Sequence, residues 1–528
     1  MNARTWTQFA VAAALLSLGA AACTDTTVQP KSTITSVNIF NDPGSYQAFL
    51  ARVYAGLAVS GQQGPAGDAD IQGIDEGFSQ YLRLYWETQE LPTDEAVIAW
   101  NDIGLPEMNS QTWTAQSNMV VAMYYRIFFQ VSLANEFLRQ TTDAALASRG
   151  VGSVLKAQIQ TYRAEARFLR ALSYWHAIDL FGSVPLVTEN DPVGSTPPKQ
   201  AARDSLYRYV VSELKAIQSQ LPTPGAATYG RATTQAANML LANLYLNAGV
   251  YTGAPDYANA LASAQAVIAS GAYSLDPNWR RMFLADNNTS PEIIFPITQD
   301  GVHTQTWGGV TFFVHAECGN TMNNVTYGID GCWWGIRLKP EAYNRYAAGD
   351  TRTSYFWTSG QTLAFSGPGD RSNFAVGVAA PKFQNVTSTG ARGSNATFVD
   401  ADFPVFRLSE AYLIYAEAFL RGGGGTQAQA LAYVNAIRER AYGGATGDIT
   451  AAQLTLQFVL DERGRELLWE AHRRTDLVRY GLFTGSTYVW TLKNNTVPGT
   501  ATDVKYNLYP LPASELVANP NLTQNTGY

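Results

Sequence analysis

Two loop segments combine tryptophan with amide and carboxylate side chains. In the first, AWNDIG at 99–104, Trp100 stands directly before Asn101 and Asp102. A sugar ring offers an apolar C–H face to an aromatic ring and a rim of hydroxyls to amides and carboxylates. This combination on a loop therefore favours a carbohydrate ligand, and the competing interpretation is a tryptophan packed in the core.

The second segment, ECGNTMNNVTYGIDGCWWGIR at 317–337, is richer in the same residue types. Its candidate ligand-binding residues are Asn320, Asn323, Asn324, Tyr327, Asp330, Trp333 and Trp334. Trp307, in TQTWGGV, is a further candidate. Because Trp333 and Trp334 are adjacent, they would point to opposite faces of an extended segment, and one of them would be buried. Cys318 and Cys332 are predicted to form a disulfide that braces this loop in an oxidising compartment.

A third segment, LWEAHRRTDLVRYGLF at 468–483, concentrates ionisable residues among apolar ones. Such a density could indicate a catalytic centre, a phosphate-binding site or a buried scaffold. Its ionisable residues are Glu470, His472, Arg473, Arg474, Asp476 and Arg479. With Glu462 and Glu466, these residues have the spacing for ion pairs along one helix and its turn. Buried polar groups must satisfy one another, so the structural interpretation is favoured.

Signals for catalysis or metal binding are weak. Asp94 and Glu95 are adjacent, whereas a glycosidase needs two carboxylates about 5 to 10 Å apart across a cleft. The sequence has no GxSxG motif, and its four histidines are scattered. Asp68 and Asp70 could contribute to a Ca²⁺ site, but they lack the twelve-residue helix-flanked spacing. No cofactor is expected, and a metal site, including structural Ca²⁺, is left open.

Composition narrows the class of protein. Apolar residues at 46% and aromatic residues at 12% exclude a wholly disordered chain. Charged residues make up only 15%, and uncharged polar residues and glycine take their place. The net charge is −7 and no basic run is present, which argues against nucleic acid as a partner. A surface of this composition suits neutral polar ligands.

The N-terminus has the pattern of an export signal. Residues 1–22 combine Arg4, an apolar run over 9–18 and small residues up to position 22. Cys23 follows where bacterial lipoproteins are cleaved and acylated, so lipidation at Cys23 is predicted; Ala20 replaces the usual aliphatic residue. The alternative is an ordinary signal peptide cut nearby, which would leave a free cysteine. Residues 23–44 are predicted to be an extended tether.

Helical periodicity governs the regions 45–270 and 405–528. Helices are predicted at 44–60, 117–140, 154–181, 201–220, 231–247, 256–270, 405–421, 426–442 and 452–481. The region 271–404 between them is rich in Gly, Asn, Thr and aromatic residues. It contains two strand candidates, IIFPIT at 293–298 and VTFFVH at 310–315, and long loops of the kind that carry function.

Several segments resemble one family, the RagB/SusD nutrient-uptake lipoproteins of bacterial outer membranes. The N-terminal match is the lipoprotein signal followed by TTVQPKSTI. The remaining matches, in chain order, are RAEARFLRALSYWHAIDLFGSVPLV (163–187), FPVFRLSEAYLIYAEA (403–418), DERGRELLWEAHRRTDLVRYG (461–481) and YPLPASELVANPNLTQNTGY (509–528). The loop-rich region 271–404 has no family pattern that aligns.

The resemblance implies a mostly α fold, a tetratricopeptide-like helical-repeat scaffold with a loop-rich ligand-binding lobe. It also implies lipid anchoring at the cell surface of the outer membrane and a SusC-like TonB-dependent transporter as partner. The implied function is capture of an extracellular oligosaccharide or polysaccharide without catalysis. Three alternatives remain: a peptide ligand with the same fold and partner, a surface glycoside hydrolase, and a purely structural scaffold.

Overall fold

The computed structural model describes residues 39–67, 69–194 and 196–528. The predicted signal peptide, Cys23 and most of the predicted tether lie outside the described residues. Residues 39–46 belong to a short unit containing the 3-10 turn Ile39–Asn41, and residues 47–528 form the body of the protein. Among the residues that the structure describes, no helix has the length and apolar character needed to cross a membrane.

Helices dominate the described residues. The first ten are α1 (Gly44–Ala58), α2 (Tyr81–Glu90), α3 (Leu105–Ser110), α4 (Asn118–Gln140), α5 (Asp143–Ser148), α6 (Ser153–Leu180), α7 (Arg203–Ile217), α8 (Thr234–Leu246), α9 (Ala248–Thr252) and α10 (Tyr257–Ala269). The others are α11 (Gly309–Ala316), α12 (Pro340–Tyr343), α13 (Leu408–Leu420), α14 (Gln427–Tyr442), α15 (Leu456–Glu466), α16 (Arg473–Arg479) and α17 (Ala513–Ala518).

The long helices pack side by side in a continuous series. Helix α4 packs on α6, α6 on α7, α7 on α8, α8 on α10, α10 on α13, and α13 on α14. Buried alanines such as Ala236, Ala237 and Ala264 let α8 and α10 approach closely. This arrangement confirms the predicted helical-repeat scaffold, and it brings the C-terminal helices against the N-terminal ones.

Helix α6 shows how the sequence defines one of these elements. Ile159, Tyr162, Ala166 and Leu169 recur at intervals of three and four residues and are all buried. The helix ends before Gly182, which has a φ of +75° and donates its N–H to the carbonyl of Ala177 at 3.1 Å. A glycine adopts this left-handed conformation without steric cost, so the position of the helix end was predictable.

The strands form three antiparallel pairs. They are β1 (Ala96–Ile98) with β5 (Ile336–Leu338), β2 (Val184–Pro185) with β3 (Gln200–Ala201), and β4 (Ile293–Ile297) with β6 (Phe403–Arg407). The strand predicted at 293–298 is confirmed as β4. The strand predicted at 310–315 is wrong, because these residues form α11, whose first turn is closed by the N–H of Phe312 donating to the carbonyl of Gly308 at 3.2 Å. Every residue of α11 is buried, and an apolar run buried on all sides carries no period that separates helix from strand.

The helix predicted over 452–481 is divided. Helices α15 and α16 flank the segment 467–472, in which Trp469 and Ala471 have φ values of +61° and +63°. Both residues are buried, and the Trp469 carbonyl accepts a hydrogen bond from the Trp86 indole at 3.1 Å. The tertiary contact holds a backbone conformation that helical spacing alone does not reveal.

Buried ion pairs connect these helices. We call the following residues the ion-pair cluster: Glu292, Asp350, Arg352, Lys382, Arg407, Arg440, Glu462, Glu466 and Glu470. At its centre, Arg407 lies 2.6 Å from Glu466, 2.6 Å from Glu470 and 2.9 Å from Glu292. The cluster therefore joins β6, α14 and α15 to the residue that directly precedes β4.

The arginines of α16 extend this pairing to α13 and to two carboxylates in the N-terminal half of the chain. Arg473 lies 2.7 Å from Asp94, Arg474 lies 2.9 Å from Asp179, and Arg479 lies 2.7 Å from Glu417. Burial lowers the pKa of His472 to about 4, so this histidine is neutral at pH 7. The segment LWEAHRRTDLVRYGLF is thus built into the scaffold, as its spacing predicted.

Candidate functional site

The β1–β5 pair brings two tryptophan-bearing loops together. Trp100 follows β1, while Trp333 and Trp334 precede β5. Beyond the strands, the Ala99 N–H donates to the Gly335 carbonyl at 2.9 Å. Segments more than 230 residues apart in sequence are therefore adjacent in the fold, because a short antiparallel ladder fixes their ends.

Three tryptophans are neighbours at this point, and Trp333 contacts the other two. The Trp100 indole N–H donates to the Trp333 carbonyl at 2.9 Å, and the two ring centroids are 6.4 Å apart. The Trp333 ring lies 6.1 Å from that of Trp307. Trp307 is 39% exposed, and Trp100 and Trp333 are half-buried. We call Trp100, Trp307 and Trp333 the tryptophan platform.

Buried side chains support each ring of the platform. Phe312 lies edge-on to Trp100 at 5.6 Å, His315 stacks on Trp333 at 4.4 Å, and Phe398 packs beside Trp307 at 5.0 Å. Because Phe312 and His315 both belong to α11, this helix supports two of the three rings. Rings that are held by buried neighbours lose less conformational entropy when a ligand binds.

The disulfide lies close to the C-terminal end of α11. Cys318 and Cys332 are bonded, with their Cα atoms 4.8 Å apart. The Trp333 N–H donates to the His315 carbonyl at 2.8 Å, and the Trp334 N–H donates to the Cys318 carbonyl at 3.0 Å. The disulfide and these two bonds hold the tryptophan pair against the end of α11.

Trp334 has a different environment from Trp333. It is 50% exposed, its φ is +56°, and its ring packs against Phe374 at 5.9 Å. Trp333 is the more buried of the pair, because it lies between Trp100, Trp307 and His315. The structure thus distinguishes two residues that the sequence could not separate.

The polar candidates fall into two groups. Asn101 and Asp102 are exposed beside Trp100, and the Asn101 side-chain oxygen accepts hydrogen bonds from Arg371 and from the Ser372 hydroxyl at 3.1 Å. Asp330 is also exposed, and its carboxylate accepts a hydrogen bond from the Thr397 hydroxyl. These three residues present oxygen atoms on the accessible surface.

The other candidates in the 317–337 loop shape the backbone. Asn320 donates to the Gly360 carbonyl at 2.7 Å, Asn324 donates to the Ile329 carbonyl at 2.7 Å, and Asn323 accepts from the Val325 N–H at 3.1 Å. Tyr327 is only 6% exposed, so its ring belongs to the packed interior of the loop and is not an accessible platform. The sequence could not reveal this, because asparagine occurs in tight turns as well as in binding loops, and tyrosine is found both buried and exposed.

The structure also bears on the alternatives for catalysis and metal binding. Asp94 and Glu95 are buried and paired with Arg345 at 2.8 and 2.6 Å. Asp70 lies 2.6 Å from Arg52 and 3.2 Å from Arg126, and Asp68 is outside the described residues. In the described part of the chain, no group of three or more His, Cys, Asp or Glu side chains is arranged to hold a metal ion.

Sequence reasoning missed several residues that shape the site. The Trp307 N–H donates to Glu76 at 2.9 Å, and the Arg83 guanidinium lies 5.5 Å from the Trp100 ring. Arg371 donates to the Trp100 carbonyl at 2.7 Å. These residues are more than 15 positions from the tryptophan they contact, and their surroundings in the sequence carry no motif. By contrast, Trp113, Trp175 and Trp469, which lie on or beside helices, are buried.

The fold and this surface define a helical-repeat protein with a partly exposed aromatic face, and known proteins share its sequence and fold. A model of the SusD family matches residues 301–528. The starch-binding protein SusD of Bacteroides thetaiotaomicron is 35% identical, over 91% of this chain and 92% of that protein. This chain belongs to the SusD family, which confirms the resemblance seen in the sequence.

Solved structures show the same fold at lower sequence identity. The surface glycan-binding protein A from Bacteroides thetaiotaomicron, in complex with laminarihexaose, is 21% identical with a TM-score of 0.68, over 91% of this chain and 99% of that one. A SusD homologue from the same organism is 18% identical with a TM-score of 0.72, over 93% and 98% of the two chains. At these identities the likeness establishes the fold alone.

Proposed function

We propose that this protein captures an extracellular oligosaccharide at the bacterial cell surface and delivers it to a SusC-like TonB-dependent transporter, without cleaving it. The observation that carries the proposal is the tryptophan platform. Its three rings are spaced 6.1 and 6.4 Å apart, are supported from below, and remain partly accessible. Successive rings at this spacing can stack on successive sugar units, while Asn101, Asp102 and Asp330 accept hydrogen bonds from hydroxyls.

The relatives support this choice of ligand. The relative with 35% identity is named a starch-binding protein, and one of the solved structures holds laminarihexaose. Starch fragments are therefore the first ligands to test, followed by other glucans. The tryptophan platform with amide and carboxylate acceptors beside it favours a sugar, which offers an apolar C–H face and a rim of hydroxyls.

The test is isothermal titration of a form that lacks residues 1–23, and so cannot be lipidated, against maltoheptaose, laminarihexaose and a panel of other oligosaccharides and peptides. The same titrations are made with the triple variant Trp100→Ala, Trp307→Ala, Trp333→Ala, whose fold is checked by circular dichroism. Binding that is lost in the triple variant supports the proposal. Binding that survives places the site elsewhere, and binding of peptides alone would favour the peptide alternative.

Trp334 and Asp330 define the extent of the site. We propose that both lie at its edges, since Trp334 packs on Phe374 rather than on the platform. The single variants Trp334→Ala and Asp330→Ala are expected to lower affinity less than Trp333→Ala. An equal or larger loss in Trp334→Ala would move the centre of the site towards Phe374.

Anchoring and delivery need separate tests. We propose lipidation at Cys23, so Cys23→Ala should shift the exported protein from the membrane fraction to the soluble fraction.

We propose a TonB-dependent transporter as partner, which should co-purify with the affinity-tagged protein from solubilised outer membranes. Incubation of pure protein with the bound oligosaccharide should release no reducing ends; such release would revive the hydrolase alternative.

A further inference from the structure

Arg337, the middle residue of β5, is a buried cation of an unusual kind. Its guanidinium donates to backbone carbonyl oxygens, and within the described residues no carboxylate forms an ion pair with it. Buried charges are normally paired, because the loss of hydration is costly. The arginines of the ion-pair cluster follow that rule, whereas Arg337 is compensated by carbonyl oxygens, and the position of these carbonyls indicates what it holds in place.

The carbonyls that Arg337 binds belong to two loops. Its donor–acceptor distances are 2.8 Å to Val376, 3.0 Å to Gly335, 2.8 Å to Arg371, 2.9 Å to Asn373 and 3.4 Å to Asp370. Gly335 follows the tryptophan pair, and the other residues end or follow the 3-10 helix Pro368–Ser372. A cation at this position complements the exposed carbonyls of a helix end, and the planar fork of arginine can bind several of them at once.

The loop that Arg337 holds reaches the tryptophan platform. The Arg371 side chain donates to the carbonyls of Trp100 at 2.7 Å and Ile98 at 3.3 Å, and to the Asn101 side-chain oxygen. Phe374, three residues later, packs against Trp334. Thus the 366–376 loop lies between the buried guanidinium of Arg337 and the main chain that carries Trp100.

We propose that Arg337 is a positioning residue for the tryptophan platform: it holds the 366–376 loop so that Arg371 fixes the main chain at Trp100 and Asn101. This inference rests on the proposed function, because the position of Trp100 affects ligand affinity only if the platform binds the ligand. Burial and the neighbouring Arg371 lower the pKa of Arg337 to about 9, so at pH 7 the guanidinium is still charged and keeps all its N–H donors.

The first test, Arg337→Lys, keeps the positive charge and removes the planar guanidinium. In Arg337→Lys, an ammonium cannot reach the same set of carbonyls, so the affinity for maltoheptaose measured by titration calorimetry should fall about tenfold. Lys339→Met is the matched control. Lys339 is equally buried, near β5, and donates to the carbonyls of Leu91 and Thr93, away from the 366–376 loop. This control should lower the melting temperature and leave affinity within about twofold.

The second test does not depend on a ligand. With 5-fluorotryptophan incorporated, the fluorine resonances of Trp100 and Trp334 should shift or broaden in Arg337→Lys, while those of the buried Trp113 and Trp490 stay unchanged. Unchanged Trp100 and Trp334 resonances would overturn the inference whether or not maltoheptaose binds. If the wild-type protein binds neither maltoheptaose nor laminarihexaose, the oligosaccharide proposal is weakened, and these spectra alone decide the positioning role.

A double-mutant cycle tests the route through Arg371. If Arg337 acts on Trp100 through the loop that carries Arg371, Arg371→Ala should already remove most of that effect. The double variant Arg337→Lys, Arg371→Ala should then bind maltoheptaose within about twofold of Arg371→Ala. Losses of affinity that multiply in the double variant would show that the two residues act independently and would overturn this part of the inference.

Discussion

The ion-pair cluster and the tryptophan platform use polar and aromatic groups in opposite ways. In the cluster, Arg407 and Glu466 are buried and each has several charged partners within 3 Å. On the platform the rings are partly accessible, and the exposed polar groups beside them are few. The dense run of charges in the sequence is therefore scaffold, and the sparse segment AWNDIG leads to the candidate site.

The contrast has a physical reason. A buried charge must be paired, so a cluster of charges inside a fold is fully committed to its own partners. A surface that captures and releases a ligand must keep its contact groups available and pre-positioned. Neutral rings that stay partly accessible need no charged partner, and partly exposed apolar residues are common on folded proteins. Substitutions in the cluster should therefore affect stability, and substitutions on the platform should affect affinity.

The largest effect is expected at the centre of the cluster. Glu466→Gln removes the negative charge that pairs with Arg352 at 2.9 Å and Arg407 at 2.6 Å, and with Arg440. Because three buried cations each lose one of their carboxylate partners, the free energy of unfolding should fall by about 3–5 kcal/mol, measured by urea denaturation. The control Glu439→Gln, at an exposed position of α14, should change it by less than about 0.5 kcal/mol. A loss of maltoheptaose affinity in folded Glu466→Gln would break the proposed division between the two regions.

The second-largest effect is expected at acidic pH, where the ion-pair cluster should contribute less to the free energy of unfolding. Burial alone would raise the pKa of Glu462, but Arg352, Arg465 and Arg438 outweigh it and lower the pKa to about 2. A carboxylate with a folded-state pKa below its unfolded value stabilises the protein above the unfolded pKa, and this contribution is lost as pH falls towards 2. Between pH 5 and pH 3 the wild-type protein should therefore lose about 2 kcal/mol more unfolding free energy than Glu462→Gln does.

This comparison is made by urea denaturation of both proteins at each pH. Glu462→Gln will be less stable than the wild type at pH 7, so the informative quantity is the slope against pH rather than the absolute stability. Parallel pH profiles of the two proteins would contradict the prediction.

On the platform, Trp307→Ala should lower affinity with little change in stability. Trp307 is the most exposed ring of the three, so truncation removes stacking surface and disturbs the core little. Affinity for maltoheptaose should fall about tenfold, roughly 1.4 kcal/mol, by titration calorimetry. The control is Trp490→Phe, a substitution at a buried tryptophan, which should lower the free energy of unfolding and leave affinity unchanged. The reverse outcome for either variant would remove the distinction between platform and core.

The smallest effect is expected at Asn101. Its side-chain oxygen already accepts hydrogen bonds from Arg371 and Ser372, so loss of the amide removes one neutral contact to a ligand hydroxyl. Asn101→Ala should lower maltoheptaose affinity about threefold, because such a hydrogen bond contributes about 0.5–1.5 kcal/mol. Asn323→Ala, which affects only a turn in the described structure, should leave affinity unchanged.

Local patterns in the sequence predicted a large part of this protein. Three-and-four spacing predicted the long helices, Gly182 predicted the end of α6, and ordered signatures at 163–187, 403–418 and 461–481 indicated the family. The prediction failed where a tertiary contact overrides the local pattern. In α11 burial on all sides hides the helical period, and at 467–472 the contact between Trp469 and Trp86 accompanies a break that helical spacing does not show.

The sequence by itself determined which residue types are available for binding: tryptophans and amides on loops, in a chain with few charges. The tertiary structure decided which of them meet. The β1–β5 pair places Trp100 beside Trp333, and α11 supports both rings. Tyr327, of an equally suitable type, is buried. Residue type and local spacing act over a few positions, whereas the strand pair joins segments more than 230 residues apart, so only the folded chain could assemble the platform.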